Sequence, residues 1–174
     1  MTTTPPGIVP ERHLHLEQRG GSLIFRRAVL AVLALICLAA LLNQVGQGRA
    51  VTRGSSASAS LTVSSPERAR GGLLFTTRFT IEARKDIQHP TLVLDSGWFR
   101  GMQVNSIVPQ PKDETSIGGR TVLTFARLPA GGRQDTFIGF QVDPTTLGRL
   151  TQNARLADGD RTLLTVRRVL TVVP

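Results

Sequence analysis

The sequence predicts an all-β immunoglobulin-like sandwich of about seven to eight strands, preceded by one transmembrane α-helix. Three features predict it. An unbroken apolar run of 15 residues spans 28–42. Beyond residue 58 the apolar residues recur with a period of two. Turn-forming residues interrupt that alternation about every 8 to 15 residues. The 174-residue chain therefore divides into a disordered cytoplasmic tail (1–22), a transmembrane helix (23–45), a flexible tether (46–58) and an extracytoplasmic β-sandwich (59–174).

The tail holds Pro5, Pro6 and Pro10 among threonines and mixed charges, with no sustained period. His13 and His15 stand two apart in it, a spacing read as a solvated tail and not as a metal site.

The helix is argued from length and transfer energy. Ala28 to Gly46 spans about 28 Å as a helix, close to the hydrocarbon thickness of a bilayer. Its six Leu, two Val and one Ile contribute roughly −3 to −5 kcal/mol, while Arg26 and Arg27 snorkel at the edge. Four arginines (Arg12, Arg19, Arg26, Arg27) precede the run, against Arg49 and Arg53 close behind it. The positive-inside rule therefore puts the N-terminus in the cytoplasm and exports the longer C-terminal part. A cleaved signal peptide is the alternative, but Gly48-Arg49-Ala50 is a poor cleavage site and the segment before the run is long. Phe25-Arg26-Arg27-Ala28 lacks the context of a twin-arginine signal. Leu35-Ile36 before Cys37 do not suit lipidation.

Residues 46–58, GQGRAVTRGSSAS, have the Gly/Ser-rich composition of a tether. Leu61 and Val63 then open a first strand. Between Leu73 and Ala83, Phe75, Thr77, Phe79, Ile81 and Ala83 alternate with Thr76, Arg78, Thr80 and Glu82, the pattern of a half-buried strand. Further strands are expected at Thr91–Leu94, Gly101–Ile107, Thr121–Ala126, Phe137–Val142, Ala154–Leu156 and Thr162–Val173. Pro109, Pro111, Gly118-Gly119, Pro129 to Gly132 and Asp143-Pro144 punctuate them, and Asp158-Gly159 reads as a hairpin turn joining the last two.

Composition narrows the function. The net charge of +9 comes from dispersed arginines, 19 of the 21 basic residues, with no basic run that would bind nucleic acid. It reads as the codon bias of a GC-rich bacterial genome. Cys37 is the only cysteine, so the outer domain holds together by packing, without a disulfide or a Cys-based zinc site. No catalytic, cofactor-binding or metal-binding residue is expected. His89 lies in a loop before Pro90, and no nucleophile elbow, Ser-x-x-Lys or His-Glu-x-x-His occurs. Asp158-Gly159-Asp160 is followed by Arg161, Thr162 and Leu163, which makes it a turn and not a calcium loop.

The most distinctive stretch is Asp95 to Met102, DSGWFRGM. Trp98, Phe99 and Arg100 are the candidate partner contact, because exposed aromatic–Arg clusters make binding hot spots. The favoured alternative buries Trp98 in the sandwich core with Phe99 capping its end.

The region 90–174 resembles a group of uncharacterised actinobacterial-type single-pass membrane proteins with an immunoglobulin-like outer domain. The resemblance is carried by His89 to Leu94, Trp98-Phe99 with Gly101-Met102, Phe140 to Thr146 with Gly148-Arg149, and Leu170 to Pro174. It implies an envelope protein associated with a multi-pass membrane partner and supplies no catalytic residues. The expectation is a non-enzymatic binding or accessory protein, held by the lipid bilayer through residues 23–45. The alternatives are a binder of anionic envelope polymers or lipids, favoured by 17 basic against 10 acidic residues beyond residue 45, or a secreted form after signal cleavage.

Overall fold

The computed structural model describes residues 20–41 and 48–174. They belong to two compact units, a helix and a β-domain that begins after residue 46.

Helix α1 spans Gly20–Leu41, starting three residues before the expected span; residues 1–19 of the expected tail and 42–45 of the expected helix lie outside the described residues. Its apolar side chains are exposed, from Val29 at 42% to Leu41 at 83%. Measured on the described residues alone, no helix is long and apolar enough to cross a membrane. The apolar run expected to do so continues to Leu42, beyond them.

The β-domain is an all-β sandwich, its strands numbered β1 to β13 along the chain. One five-stranded sheet has the order β1 (Arg49–Ser55), β2 (Ala59–Pro66), β4 (Leu74–Ala83), β9 (Arg133–Val142) and β6 (Met102–Val108). A second runs β12 (Arg161–Val166), β11 (Ala154–Asp158), β5 (Pro90–Leu94), β8 (Arg120–Thr124) and β7 (Asp113–Ile117). A third, of three strands, sets β13 (Val169–Val173) between β10 (Gly148–Thr151) and β3 (Arg68–Arg70). The β13–β3 pair is parallel, and the other pairs are antiparallel.

A single core joins the two large sheets, with Leu61, Phe79 and Phe140 from the first and Leu92, Leu123 and Leu156 from the second. The alternation that announced β4 points Phe75, Thr77, Phe79, Ile81 and Ala83 inward, as expected. Thr77 is accommodated there because its hydroxyl pairs with that of buried Ser65 at 2.7 Å, which avoids leaving either group unsatisfied. The Asp158-Gly159 hairpin joins β11 to β12, with Gly159 at φ +56°.

Three expectations change. Most of the tether expected at 46–58 is strand: Arg49 to Ser55 pair in unbroken register with Ser60 to Pro66 of β2. Its composition hid it, because Arg49, Arg53 and Gly54 look like linker residues. Gly54 packs closely instead, since a Cβ there would lie 2.9 Å from Val166 Cγ2 of β12 in the opposite sheet. The stretch Thr162–Val173, expected as one strand, is β12 and β13, which belong to different sheets and are separated at Arg167-Arg168. The strand count also exceeds seven to eight, because β7 exposes every side chain and β3 and β10 are too short to show a period.

Candidate functional site

Trp98, Phe99 and Arg100 do not form one surface. A short 3₁₀ turn, Ser96–Trp98, presses against β10 so closely that a Cβ on Gly97 would lie 1.9 Å from the Thr151 carbonyl oxygen. The turn drives Trp98 into the interior, where it is fully buried. Its ring lies 5.2 Å from Phe79 and 5.6 Å from Phe140 between centroids, and its Nε1–H donates to the Asn153 carbonyl at 2.9 Å. Phe99 packs half-buried against the core and Arg100 is exposed. The core role for Trp98 is the observed one, and Trp98 is not available as a partner contact.

Behind Trp98 sits a buried cation. The Arg168 guanidinium lies 5.2 Å from the Trp98 ring centroid and donates to Gln152 Oε1 at 2.8 Å and to the Pro66 carbonyl at 2.6 Å. Burial pulls its pKa down to about 10, opposed by the charge of Glu67. It remains charged at neutral pH and ties the third sheet to the end of β2. This is a structural cation, walled off from solvent.

The exposed aromatic–Arg pair lies elsewhere, on the outer face of the first large sheet. Strand register lines up Val51, Ser64, Arg78, Phe137 and Val108 in one row across all five strands. The Arg78 guanidinium carbon lies 5.5 Å from the Phe137 ring centroid. Val51, Phe137 and Val108 are 64%, 39% and 57% exposed, so the row presents apolar surface at both ends and in the middle.

The neighbouring rows hold the arginine in place. Asp135 accepts from Arg78 Nε at 3.1 Å and Nη2 at 2.9 Å, from the Thr80 hydroxyl at 2.5 Å and from Arg133 Nε at 3.1 Å. These donors hold its carboxyl far below the usual carboxylate range, the Arg78 hydrogen bonds contributing most. The same contact raises the Arg78 pKa. Arg133 also approaches Glu82 at 3.6 Å, and Glu82 accepts from Ser60 at 3.1 Å. The pair Arg78–Phe137 is thus a fixed feature, because a bidentate carboxylate sets the guanidinium plane.

Two shallow grooves run along this face, of about 450 and 330 Å³, meeting at Arg49 and Thr76. Their floor is low because the residues are small: Thr62, Ser64, Thr76, Ser106 and Gly139. A Cβ on Gly139 would stand 2.7 Å from Ser106 Oγ. A hydroxyl floor with apolar and arginine walls can accept side chains and backbone groups of a partner. It offers no activated nucleophile.

His89 is exposed, and its backbone N–H donates to Asp158 Oδ1 at 2.7 Å, so this aspartate serves the hairpin turn. Among the described residues no three His, Cys, Asp or Glu side chains gather to hold a metal ion.

No protein-family model and no curated protein matches this sequence. Some solved structures are similar to it at low identity. CaCohA2 from Clostridium acetobutylicum is 16% identical over 61% of this chain and 85% of that one, with a TM-score of 0.43. The CARDB domain of a Pyrococcus furiosus protein, in complex with di-metal ions, is 10% identical over 72% and 89%, with a TM-score of 0.40. A non-cellulosomal cohesin from Archaeoglobus fulgidus is 14% identical over 72% and 91%, also at 0.40. At these values no residue role carries over to this chain.

The Arg78–Phe137 pair is 59 positions apart in sequence and was not legible there. Alternation around Phe79 does send Arg78 outward. Its partner across the sheet is set by the β4–β9 register, which no local pattern encodes.

Proposed function

We propose that this chain is a membrane-anchored, non-catalytic binding or accessory protein of the cell envelope. In this reading the immunoglobulin-like sandwich binds another membrane protein, a multi-pass one, through the outer face of the β1–β2–β4–β9–β6 sheet. The observation that carries the binding face is the row Val51–Ser64–Arg78–Phe137–Val108. It joins exposed apolar side chains to an immobilised Arg–aromatic pair, the composition of interface hot spots.

The anchor is supported by the apolar run 28–42, since a helix apolar all round needs an apolar surrounding. The excess of arginines before the run supports a cytoplasmic N-terminus and an extracytoplasmic sandwich.

The face is tested by crosslinking in intact cells followed by gentle solubilisation. A partner captured by the wild-type protein should be lost with Phe137→Ala and Val108→Ser and kept with Arg100→Ala. Equal capture by all three variants would remove the face from consideration. Protease added to intact cells should digest the sandwich; its survival, with cleavage of the N-terminal tail alone, would reverse the orientation.

A second reading, binding of anionic envelope polymers or lipids, is favoured by exposed Arg68 and Arg70 of β3 and Arg149 of β10 on the third sheet.

A further inference from the structure

The outward face of the third sheet brings three arginines together on neighbouring strands. Leu170 and Val172 of β13 point into the core, so Val169, Thr171 and Val173 point out. Register places Arg149 of β10 and Arg68 of β3 on either side of Thr171, and Arg70 beside Val173. With strands about 4.8 Å apart, the Arg68 and Arg149 backbones lie about 10 Å apart, and Arg70 stands about 7 Å further along β3. No acidic residue occupies an outward position on these strands. Among the described residues none of the three arginines has an ion-pair partner; other exposed arginines share that state, but these three stand on adjacent strands of one face. Glu67, the exposed acidic neighbour in the chain, makes no ion pair with any of the three.

We propose that this face is an electrostatic contact for anionic phospholipid headgroups of the membrane that holds α1. The inference rests on the anchored reading above. Three guanidiniums suit phosphate groups. Val169 and Val173 between them give the face the mixed apolar and cationic character of an interfacial surface.

Chain continuity selects lipid over a soluble polymer. Arg49, where the sandwich begins, pairs with Pro66, two residues before Arg68. Eight peptide steps separate Arg49 from Leu41, a reach of at most about 29 Å. A chain whose helix is held in a bilayer therefore carries this arginine face at high effective concentration beside the headgroups. The patch spans only three short strands, too small an area to follow an extended polymer.

The test uses the full-length protein with Cys37→Ser and a donor fluorophore at Pro174→Cys, reconstituted into bilayer discs carrying acceptor-labelled headgroups. One set of discs is phosphatidylcholine alone and the other contains phosphatidylglycerol. An arginine near an anionic surface is worth about fivefold in partitioning, so three together should favour the docked state about a hundredfold. Energy transfer should be higher on the anionic discs. It should fall as salt shortens the Debye length from about 10 Å at 0.1 M to about 3 Å at 1 M. The triple variant Arg68→Gln, Arg70→Gln, Arg149→Gln should abolish the difference, and Arg68→Lys, Arg70→Lys, Arg149→Lys should preserve it.

Equal transfer on both lipids, or transfer unaffected by the Gln variant, would overturn the contact. So would displacement by soluble poly(glycerol phosphate) without any preference for anionic lipid. Release of the chain from neutral vesicles by alkaline carbonate would overturn the anchor and this contact together. Retention of the chain without any lipid-charge dependence would sink the contact alone.

Discussion

The Arg168 guanidinium lies against the face of the fully buried Trp98 ring, 5.2 Å from its centroid. A cation and an aromatic ring, 70 positions apart, close the end of the core where the third sheet joins the first. Arg168 also satisfies the Pro66 carbonyl and the Gln152 side chain, so its removal strands two buried acceptors as well as a packing partner. Trp98→Ala should destabilise the domain by about 4 kcal/mol, and Arg168→Met by about 2 kcal/mol. Urea unfolding followed by far-UV dichroism measures both. A loss below about 0.5 kcal/mol for either would show that the pair is not structural.

Substitution of Phe137 should separate binding from stability. Its ring is partly exposed on the outer sheet face, so Phe137→Ala should shift unfolding by no more than about 1 kcal/mol. Partner capture should nonetheless drop by at least about tenfold, as expected for a hot-spot residue. Parallel loss of stability and binding would mean that the effect is on folding.

Asp135 makes a prediction about acid. Its carboxyl is depressed far below its unfolded value of about 3.9. The stabilisation it provides is therefore complete above about pH 5 and is lost as the pH falls through the unfolded value toward the folded one. Asp135→Asn should flatten the acid limb of the stability profile between about pH 5 and pH 2. Superimposable limbs for the two proteins would contradict the Arg78–Thr80–Arg133 assignment.

Thr136 is a place where stability can rise. Its hydroxyl is buried on the core side of β9 and is, among the described residues, the one buried side-chain polar atom without a hydrogen-bond partner. Thr136→Val keeps the shape and removes the unsatisfied group, and should stabilise by about 1 kcal/mol. Thermal unfolding of the two proteins decides it, and a lower midpoint for the valine variant would indicate a partner for the hydroxyl.

The pairing of β1 is open to proteolysis. Trypsin recognises Arg49 and Arg53, which a tether would leave open. Both lie in a strand paired along its full length, so cleavage there should be slow while the domain stays folded. Rapid cutting after Arg53 under native conditions would restore the tether.

Composition and periodicity were enough to reveal the apolar run, the all-β character of the chain beyond it, and the strands long enough to alternate. Phe75, Phe79 and Ile81 face inward because a period of two leaves no other way to bury them. The scarcity of other aromatics marked Trp98 as a core residue, and turn chemistry located the Asp158-Gly159 hairpin. The remainder depends on contacts between distant segments. β1 became a strand because Gly54 fits beneath Val166 and because β2 offered an open edge, neither of which is a local property. Arg168 became a core residue because Pro66 and Gln152 supply acceptors at the point where β12 hands over to β13. The exposed aromatic–Arg pair came from Arg78 and Phe137, not from the adjacent Trp98, Phe99 and Arg100. Contiguity in sequence sends successive side chains to different places, whereas register brings distant ones onto a common face.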